Sequence, residues 1–335
     1  MELFKYSQPF ELENGASLPG LTLAYTTYGL LNESRDNVIW VCHALTANAN
    51  PQEWWPGFWN EVEVFNTAKY FIVCANMIGS CYGSTGPDEI NPITEQRYGL
   101  DFPLITIRDQ VRAQLLLADY LGIERIHLVL GGSMGGQQSL EWTIMAPDKV
   151  YQSLLIACNA RHSPWGIAFN ESQRLAIQAD PTFAGEHAGA GVRGMQAARA
   201  VGMISYRHYL TYDATQMDAD NTLSDHKAST YQRYQGEKLS NRFRPLAYLS
   251  LSKTMDTHHV GRHRGSIPAA LKAVKSRTLI IGIDHDILFP VVEQEYLAQH
   301  IPDAALEIIH SDFGHDGFLL EYFRIFKVMG RYLDI

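Results

Sequence analysis

A single serine lies among four glycines at the junction between an apolar run and a helix-like run. The stretch Leu128–Trp142 reads LVLGGSMGGQQSLEW, and its segment Gly131–Gly135 fits the pattern G-x-S-x-G. Where this pattern joins a strand to a helix, the turn is sharp and exposes the serine at the carboxyl end of a sheet. We therefore predict that Ser133 is a nucleophile held in a strained backbone conformation, with glycines that let neighbouring backbone approach.

The alternative is a Gly-rich turn that binds an anion or simply packs tightly. Two specific phosphate-binding turns are excluded by their spacing. A P-loop needs Gly-Lys-Ser/Thr, and a dinucleotide fingerprint needs G-x-G-x-x-G, and residues 128–142 contain neither.

A serine hydroxyl needs a neighbouring base, and the base needs a carboxylate that orients it. In this class of turn the partners follow in the order serine, acid, histidine. The segment GIDHDILFP follows one apolar run and HSDFGHDGF follows the last. We predict His315 as the base and Asp286 as its orienting acid, with Asp284 as a competing candidate.

An oxyanion formed by attack on a carbonyl needs hydrogen-bond donors in place before the reaction. The N–H of Met134 would lie at the start of the predicted helix, where backbone donors are free. A second donor should come from the loop VCHALTANA, and we predict the N–H of Leu45. His43 in the same loop is interpreted as structural.

The elements that must hold these residues form an alternating pattern of apolar runs and helical stretches, which predicts an α/β architecture. The apolar runs, typical of strands buried on both faces, are Val38–Cys42, Tyr70–Ala75, Ile126–Leu130, Ser153–Cys158, Thr278–Ile283 and Leu306–His310. Between residues 164 and 265 the pattern is helical. We predict a core domain of residues 1–163 and 266–335 and a helical lid of residues 164–265.

Composition narrows the function. The chain has 335 residues, 46% of them hydrophobic and 19% charged, which suits a large core and argues against disorder. The net charge is −9 and no basic stripe is visible, so nucleic acid is not an expected partner. No run approaches the length of a membrane span and the start is unlike a signal peptide. We expect a cytoplasmic protein.

Metal binding is not predicted. The segment HHVGRHR at residues 258–264 could suggest a metal site, but no cysteine or carboxylate completes a ligand set. We interpret it as a solvated polar turn.

Several motifs, taken together, resemble the homoserine O-acetyltransferase family of α/β-hydrolase-fold enzymes. They include SCYGSTGP at residues 80–87, GGSMGG at 131–136 and GHDGFL at 314–319, in that order. The resemblance covers nearly the whole chain. It implies an α/β-hydrolase fold with a helical lid, and it favours Asp286 over Asp284 because the family's aspartate precedes x-L-(F/Y).

The resemblance also implies the substrates and their contacts. Acetyl-CoA would acetylate Ser133 and L-homoserine would accept the acetyl group, with no tightly bound cofactor. An arginine and a tyrosine seven residues apart, here Arg199 and Tyr206, would hold homoserine, and Asp316 would bind its amino group. Arg262 and Arg264 are candidates for the CoA phosphates. A homodimer is expected.

The chain departs from the family pattern at two places. Ala47 follows HALT where a glycine is common, and HHVGRHRG replaces a more usual H-D-x-G-R-G-R-G. These departures bear on the choice of acyl donor. The serine, acid and histidine do not by themselves distinguish three alternatives, namely succinyl transfer to homoserine, acyl transfer to serine, and carboxylester hydrolysis.

Overall fold

The computed structural model describes residues 1–183, 185, 187 and 189–335. Within these residues the strands are β1 (Glu2–Tyr6), β2 (Phe10–Glu11), β3 (Ser17–Leu18), β4 (Leu21–Tyr28), β5 (Val38–Cys42), β6 (Phe71–Ala75), β7 (Ile126–Gly132), β8 (Val150–Ile156), β9 (Arg277–Ile283) and β10 (Ala304–Ile309). The helices are α1 (Pro51–Trp54), α2 (Gly57–Asn60), α3 (Ile107–Tyr120), α4 (Met134–Met145), α5 (Pro164–Gln178), α6 (Val192–Tyr206), α7 (Tyr209–Gln216), α8 (Lys227–Ser240), α9 (Pro245–Asp256), α10 (Ile267–Leu271), α11 (Val291–His300), α12 (Gly317–Leu320) and α13 (Tyr322–Tyr332).

The main sheet has the strand order β1-β4-β6-β5-β7-β8-β9-β10, and β2 pairs with β3 in a separate hairpin. The six strands β6, β5, β7, β8, β9 and β10, in their order across the sheet, are parallel to one another. Strand β1 pairs antiparallel with β4, and β4 pairs antiparallel with β6. All five residues of β5 are buried, as expected for a strand covered on both faces. The parallel strands therefore direct their carboxyl ends to one edge, where catalytic sites of open α/β sheets assemble.

The six apolar runs correspond to β5–β10, with ends that differ by a few residues. The antiparallel strands at the start of the chain are absent from the sequence predictions. Strand β4 reads LTLAYTTY and is only half-buried over its last three residues, so it has no continuous apolar run. A strand with one partly exposed face carries a weaker signal than one buried on both faces.

A close approach between backbones fixes the junction of β7 and α4. A Cβ built on Gly135 would lie 2.1 Å from the carbonyl oxygen of Cys42, and one on Gly131 would lie 2.4 Å from the carbonyl carbon of Gly135. Real Cβ atoms do not approach other atoms this closely. Glycine at both positions thus lets the start of α4 press against the end of β5, as the sequence predicted.

Helix α3 begins at Ile107 because Thr106 and Asp109 form a capping box. The Asp109 N–H donates to Thr106 Oγ1 at 3.1 Å, and the Thr106 N–H donates to Asp109 Oδ2 at 3.0 Å. The next helix in the core, α4, packs on α3 and is almost entirely buried.

Between β8 and β9 the described residues contain α5–α10 and no strand. Helices α5, α6, α8 and α9 pack on one another. Met195 of α6, Tyr248 of α9 and Phe243 of the loop before α9 belong to a buried cluster that also includes Leu45 and Met134 of the sheet edge. This apolar contact seats the helices over the carboxyl ends of the strands.

The segment at residues 258–264 is not a solvated turn, contrary to the sequence interpretation. His258 is buried, and its Nε2 lies 2.8 Å from the carbonyl oxygen of Asn159. Arg262 pairs with Glu13 at 3.1 Å. The segment is polar because its side chains have specific buried partners, which sequence composition does not reveal.

A partly buried ion cluster joins this segment to the core. Arg108 of α3 pairs with Glu13 at 2.6 Å and with Glu141 of α4 at 2.9 Å. Arg264 also donates to Glu141, at 3.0 Å. Each carboxylate thus contacts two guanidinium groups, an arrangement that satisfies charges with little access to water.

Among the described residues no helix combines the length and the apolar character that crossing a membrane would require.

The glycine contacts predict a contrast between two helical positions. Gly135→Ala should lower the free energy of unfolding by about 3 kcal/mol or more, because its methyl group would meet the Cys42 carbonyl. Gly330→Ala, on α13, meets no atom within 4 Å and should raise it by about 0.5–1 kcal/mol. Urea unfolding of both variants measures the difference. Equal effects would show that the backbone contact at Gly135 does not constrain the fold.

Candidate active site

A cavity of about 320 Å³ lies between the sheet edge and the helices α5–α9. Six of the eight site residues predicted from the sequence line it: Leu45, Ser133, Arg199, Tyr206, His315 and Asp316. The other two, Met134 and Asp286, do not line it and are buried. Residues far apart in the chain thus meet in one enclosed space.

Ser133 occupies the turn between β7 and α4. Its backbone has φ 58° and ψ −128°, a conformation that residues with a Cβ rarely adopt, and only 6% of its surface is exposed. The Ser133 N–H donates to the Ile156 carbonyl at 3.0 Å, and its own carbonyl accepts from the Gln137 N–H at 3.1 Å. These bonds offset a strain of about 1–3 kcal/mol.

His315 contacts one carboxylate directly. Its Nδ1 lies 2.6 Å from Asp286 Oδ2, and both side chains are buried. The other oxygen, Oδ1, accepts from the N–H groups of Leu288 at 2.8 Å and Phe289 at 2.9 Å. An ionised carboxylate only accepts, so Nδ1 carries the hydrogen and Nε2 is left as the basic nitrogen.

Asp284, the competing acid, lies elsewhere. Its Oδ2 is 2.6 Å from His310 Nδ1, and its Oδ1 accepts from the Ser311 N–H at 3.1 Å. Of the two carboxylates considered from the sequence, Asp286 is the one that contacts His315.

Aromatic rings hold the plane of the His315 imidazole. Phe289 stacks on it at a centroid distance of 5.1 Å and an angle of 18°, and Phe318 lies at 5.4 Å. The Tyr206 ring lies 6.0 Å away. Sequence analysis did not single out the two phenylalanines, although each follows a predicted catalytic residue closely in the chain.

The predicted oxyanion donors lie at a helix start and in a loop. Met134 is the first residue of α4, and Leu45 lies in the loop after β5. Among the described residues, no carbonyl accepts a hydrogen bond from either N–H. Both donors are therefore available to a ligand.

The His43 side chain lies in the same loop and contacts two backbone groups. Its Nε2 accepts from the Met77 N–H at 3.0 Å, and its Nδ1 lies 2.9 Å from the Ala44 carbonyl oxygen. Burial lowers the pKa of His43 to about 4, so the ring is neutral at physiological pH. This geometry agrees with the structural interpretation of His43.

The three residues implied to bind an amino acid lie close together. The Arg199 guanidinium is 5.3 Å from the Tyr206 ring centroid, and Arg199 Nε is buried with no hydrogen-bond partner among the described residues. Asp316 Oδ2 lies 2.9 Å from Arg207 Nε. Burial raises the pKa of Asp316, and the charges of Arg207 and Arg199 oppose that rise.

Several residues that line the cavity or contact its lining have no counterpart in the sequence predictions. Arg207 follows Tyr206 directly, yet its contact with Asp316 depends on two distant segments. Asn170 comes from α5, Trp54 from α1 and Arg242 from the loop before α9. Arg242 donates to the Tyr82 hydroxyl at 2.9 Å and to the Thr46 carbonyl, which ties this loop to the sheet edge.

The cavity lining does not include Arg262 or Arg264, the arginines suggested for the CoA phosphates. Glu13 and Glu141 already pair with their guanidinium groups. Each of these arginines shares its carboxylate with Arg108, so both side chains are engaged in the ion cluster that holds the fold.

Two further buried histidines lie near the site. His162 Nε2 is 3.3 Å from Asn170 Nδ2, and the His162 N–H donates to the carbonyl of His258 at 3.0 Å. Burial lowers the pKa of each to about 3. Both rings are therefore neutral at physiological pH and act as uncharged hydrogen-bonding groups.

The buried histidines predict acid sensitivity. An unfolded histidine takes up a proton near pH 6.5 and the folded ones do not until about pH 3–4, so the free energy of unfolding should fall with pH below about 6.5. Each contributes on the order of 2 kcal/mol between pH 7 and 5. Denaturant unfolding at several pH values should show a shallower dependence for His258→Gln.

The matched control is His300→Gln, at the end of α11 and only half-buried. Its pH dependence should equal that of the wild type. An unchanged dependence in His258→Gln would contradict a neutral buried ring at that position.

Comparisons with known proteins identify the fold and the family. A family model described as the alpha/beta hydrolase fold matches residues 37–322. A homoserine O-acetyltransferase of Cyclobacterium marinum is 48% identical, with 96% of this chain and 92% of that protein covered.

Solved structures share the fold. The homoserine O-acetyltransferase of Bacillus anthracis superposes with a TM-score of 0.91 over 100% of this chain and 97% of its own, at 23% identity. An acetylester hydrolase of Corynebacterium glutamicum superposes with a TM-score of 0.87 over 99% and 95%, at 27% identity. The resemblance seen in the motifs and the fold predicted from the sequence are thus confirmed. This chain belongs to the α/β-hydrolase-fold family and, within it, to the homoserine O-acetyltransferase family.

Proposed function

We propose that this protein transfers an acetyl group from acetyl-CoA to the side-chain hydroxyl of L-homoserine, with Ser133 as the acyl carrier. One observation carries the proposal. Ser133 and the His315 ring that contacts Asp286 line the same cavity as Arg199 and Asp316, so a nucleophile and groups suited to an amino acid share one space. The names of the full-length relatives support the choice of acyl group and acceptor.

In the first half-reaction, His315 Nε2 takes the proton of the Ser133 hydroxyl as Oγ attacks the thioester carbonyl. The N–H groups of Leu45 and Met134 stabilise the oxyanion, each by about 3 kcal/mol. The C–S bond then breaks, and His315 returns its proton to the departing thiolate of CoA. The enzyme is left as an acetyl-Ser133 ester.

In the second half-reaction, His315 removes the proton of the homoserine hydroxyl, whose oxygen attacks the acetyl ester. The ester bond to Ser133 breaks, His315 reprotonates Oγ, and O-acetyl-L-homoserine leaves. Two products released in two steps from one acyl-enzyme give ping-pong kinetics.

The charges around the cavity suit a zwitterion. The Arg199 guanidinium can bind the carboxylate of homoserine through paired N–H groups, because its Nε has no protein partner among the described residues. The Asp316 carboxylate can bind the ammonium group when it is ionised. Arg207 and Arg199 favour that ionised form against the effect of burial. Tyr206 lies beside Arg199 and completes the pocket.

Transfer must outcompete hydrolysis of the acyl-enzyme by water. An oriented hydroxyl can gain an effective concentration on the order of 10⁵ M or more. We propose that residues 164–265 act as a lid that limits water, and that residues 1–163 and 266–335 form the core. No tightly bound cofactor is needed, since acetyl-CoA enters as a substrate. A homodimer stays a prediction from the family resemblance, and a cytoplasmic location stays a prediction from the sequence.

Ester hydrolysis is the second candidate, because the acetylester hydrolase of Corynebacterium glutamicum has nearly the same fold. A hydrolase would use the same nucleophile and base but would not need Arg199 or Asp316.

Release of the CoA thiol distinguishes these activities. With acetyl-CoA as donor, L-homoserine should accelerate thiol release by at least about tenfold over water alone, and L-serine or succinyl-CoA should substitute poorly. Ser133→Ala should abolish both reactions, with a loss on the order of 10³-fold or more. Slow release that is indifferent to any amino acid would instead establish a hydrolase.

The role of Arg199 predicts a selective loss. Arg199→Ala should reduce kcat/KM for homoserine by about 100-fold, the effect of losing a charged contact of roughly 3 kcal/mol, and should leave acetyl-CoA hydrolysis within about threefold. Arg193→Ala is the matched control, since Arg193 is exposed on the same helix. Equal losses in transfer and hydrolysis would refute the proposed contact.

A further inference from the structure

Histidine and aspartate side chains outside the cavity meet where three loops converge. Asp284 and His285 follow β9, and His310 and Asp312 follow β10. His208 lies between α6 and α7. The mechanism proposed above uses none of these side chains.

The donor atoms of Asp284, His285 and His310 all lie within 4.8 Å of one another. Asp284 Oδ2 is 2.6 Å from His310 Nδ1, and Asp284 Oδ1 is 3.9 Å from His285 Nδ1. A tetrahedral ion with bonds near 2.0 Å holds its ligand atoms about 3.3 Å apart. Small side-chain rotations would therefore bring these atoms to metal-binding distances.

A second carboxylate, on the exposed side chain of Asp312, lies beside this cluster. Asp312 Oδ1 is 3.8 Å from His285 Nδ1 and 3.5 Å from His310 Nε2. His310 and Asp312 are more than half exposed, so an ion can reach the cluster from solvent. Two imidazoles with two carboxylates form a ligand set that zinc and similar divalent ions accept.

One ring nitrogen of the cluster lacks a hydrogen-bond partner among the described residues. It is His285 Nδ1, which is buried. The two carboxylate oxygens at 3.8 and 3.9 Å are too distant for a hydrogen bond. A cation placed among the three groups would satisfy the nitrogen and both carboxylates together.

The His208 ring sets the orientation of His285. The two rings stack at a centroid distance of 4.0 Å and an angle of 12°. Contacts that orient a ligating histidine improve metal affinity. Because His208 belongs to the helical segment between β8 and β9, this stack also connects that segment to the core.

We propose that Asp284, His285 and His310 bind a divalent transition-metal ion of the zinc type, with Asp312 as the fourth ligand. The ion joins the loop after β9 to the loop after β10. Those two loops also carry Asp286 and His315, so the ion acts as a cross-link beside the acid and base of the site. This inference does not depend on the identity of the substrates.

The test uses the full chain without an affinity tag, after treatment with a chelator. Isothermal titration with ZnCl₂ should show one site per chain, and Zn²⁺ should raise the Tm. His310→Ala and His285→Ala should each weaken binding about tenfold or more and remove the rise in Tm. Co²⁺ should give the visible absorption of a four-coordinate ion, and His310→Ala should lose it.

The matched control is His226→Ala. His226 Nδ1 pairs with Asp218 at 2.7 Å, a distance close to that of the His310–Asp284 pair, and it belongs to no metal-binding group found among the described residues. Zn²⁺ affinity should be unchanged in this variant. Two outcomes would overturn the proposal: no saturable binding of Zn²⁺ by the wild type, or binding that survives both His310→Ala and His285→Ala. Exposed His310 is not part of the core, so its variant is expected to fold.

Discussion

The close approach of Gly135 to the Cys42 carbonyl is the constraint on which the site depends. It brings the start of α4, where Met134 lies, against the end of β5 and the loop that contains Leu45, the two residues proposed as oxyanion donors. The same junction forces Ser133 into a positive-φ conformation. Burial of α4 and its packing against α3 and the sheet stabilise the molecule enough to hold this strain of a few kcal/mol.

Electrostatics in the cavity follow from burial. A carboxylate removed from water is costly, which is why burial raises the pKa of Asp316. Two guanidinium groups, from Arg207 and Arg199, reduce that cost without neutralising the whole site. The proposed ligand, a zwitterion, would bring one charge of each sign and leave the balance nearly unchanged. Such a site discriminates against molecules with only one of the two charges.

The helical segment between β8 and β9 is attached to the core by three different kinds of contact. An apolar cluster that includes Met134 seats it above the strands. The residues that follow α9 are held by two ion pairs, Arg262 with Glu13 and Arg264 with Glu141. The stack of His208 on His285 adds a third attachment, beside the proposed metal site. Apolar contacts tolerate small shifts of the helices, whereas the ion pairs and a bound metal would fix the position and the angle of the helical segment relative to the core.

The sequence by itself determined the buried strands β5–β10 in their order along the chain, the turn at Ser133 and the motifs that indicate the family. Buried apolar runs and glycine spacing are local signals. The residues alone did not decide whether Asp284 or Asp286 is the orienting acid. The family pattern favoured Asp286, and in the structure Asp286 contacts His315. Only the tertiary structure decided that Arg207 faces Asp316. It alone also placed Arg262 in an ion cluster, because both contacts join segments whose separation in sequence carries no periodic signal.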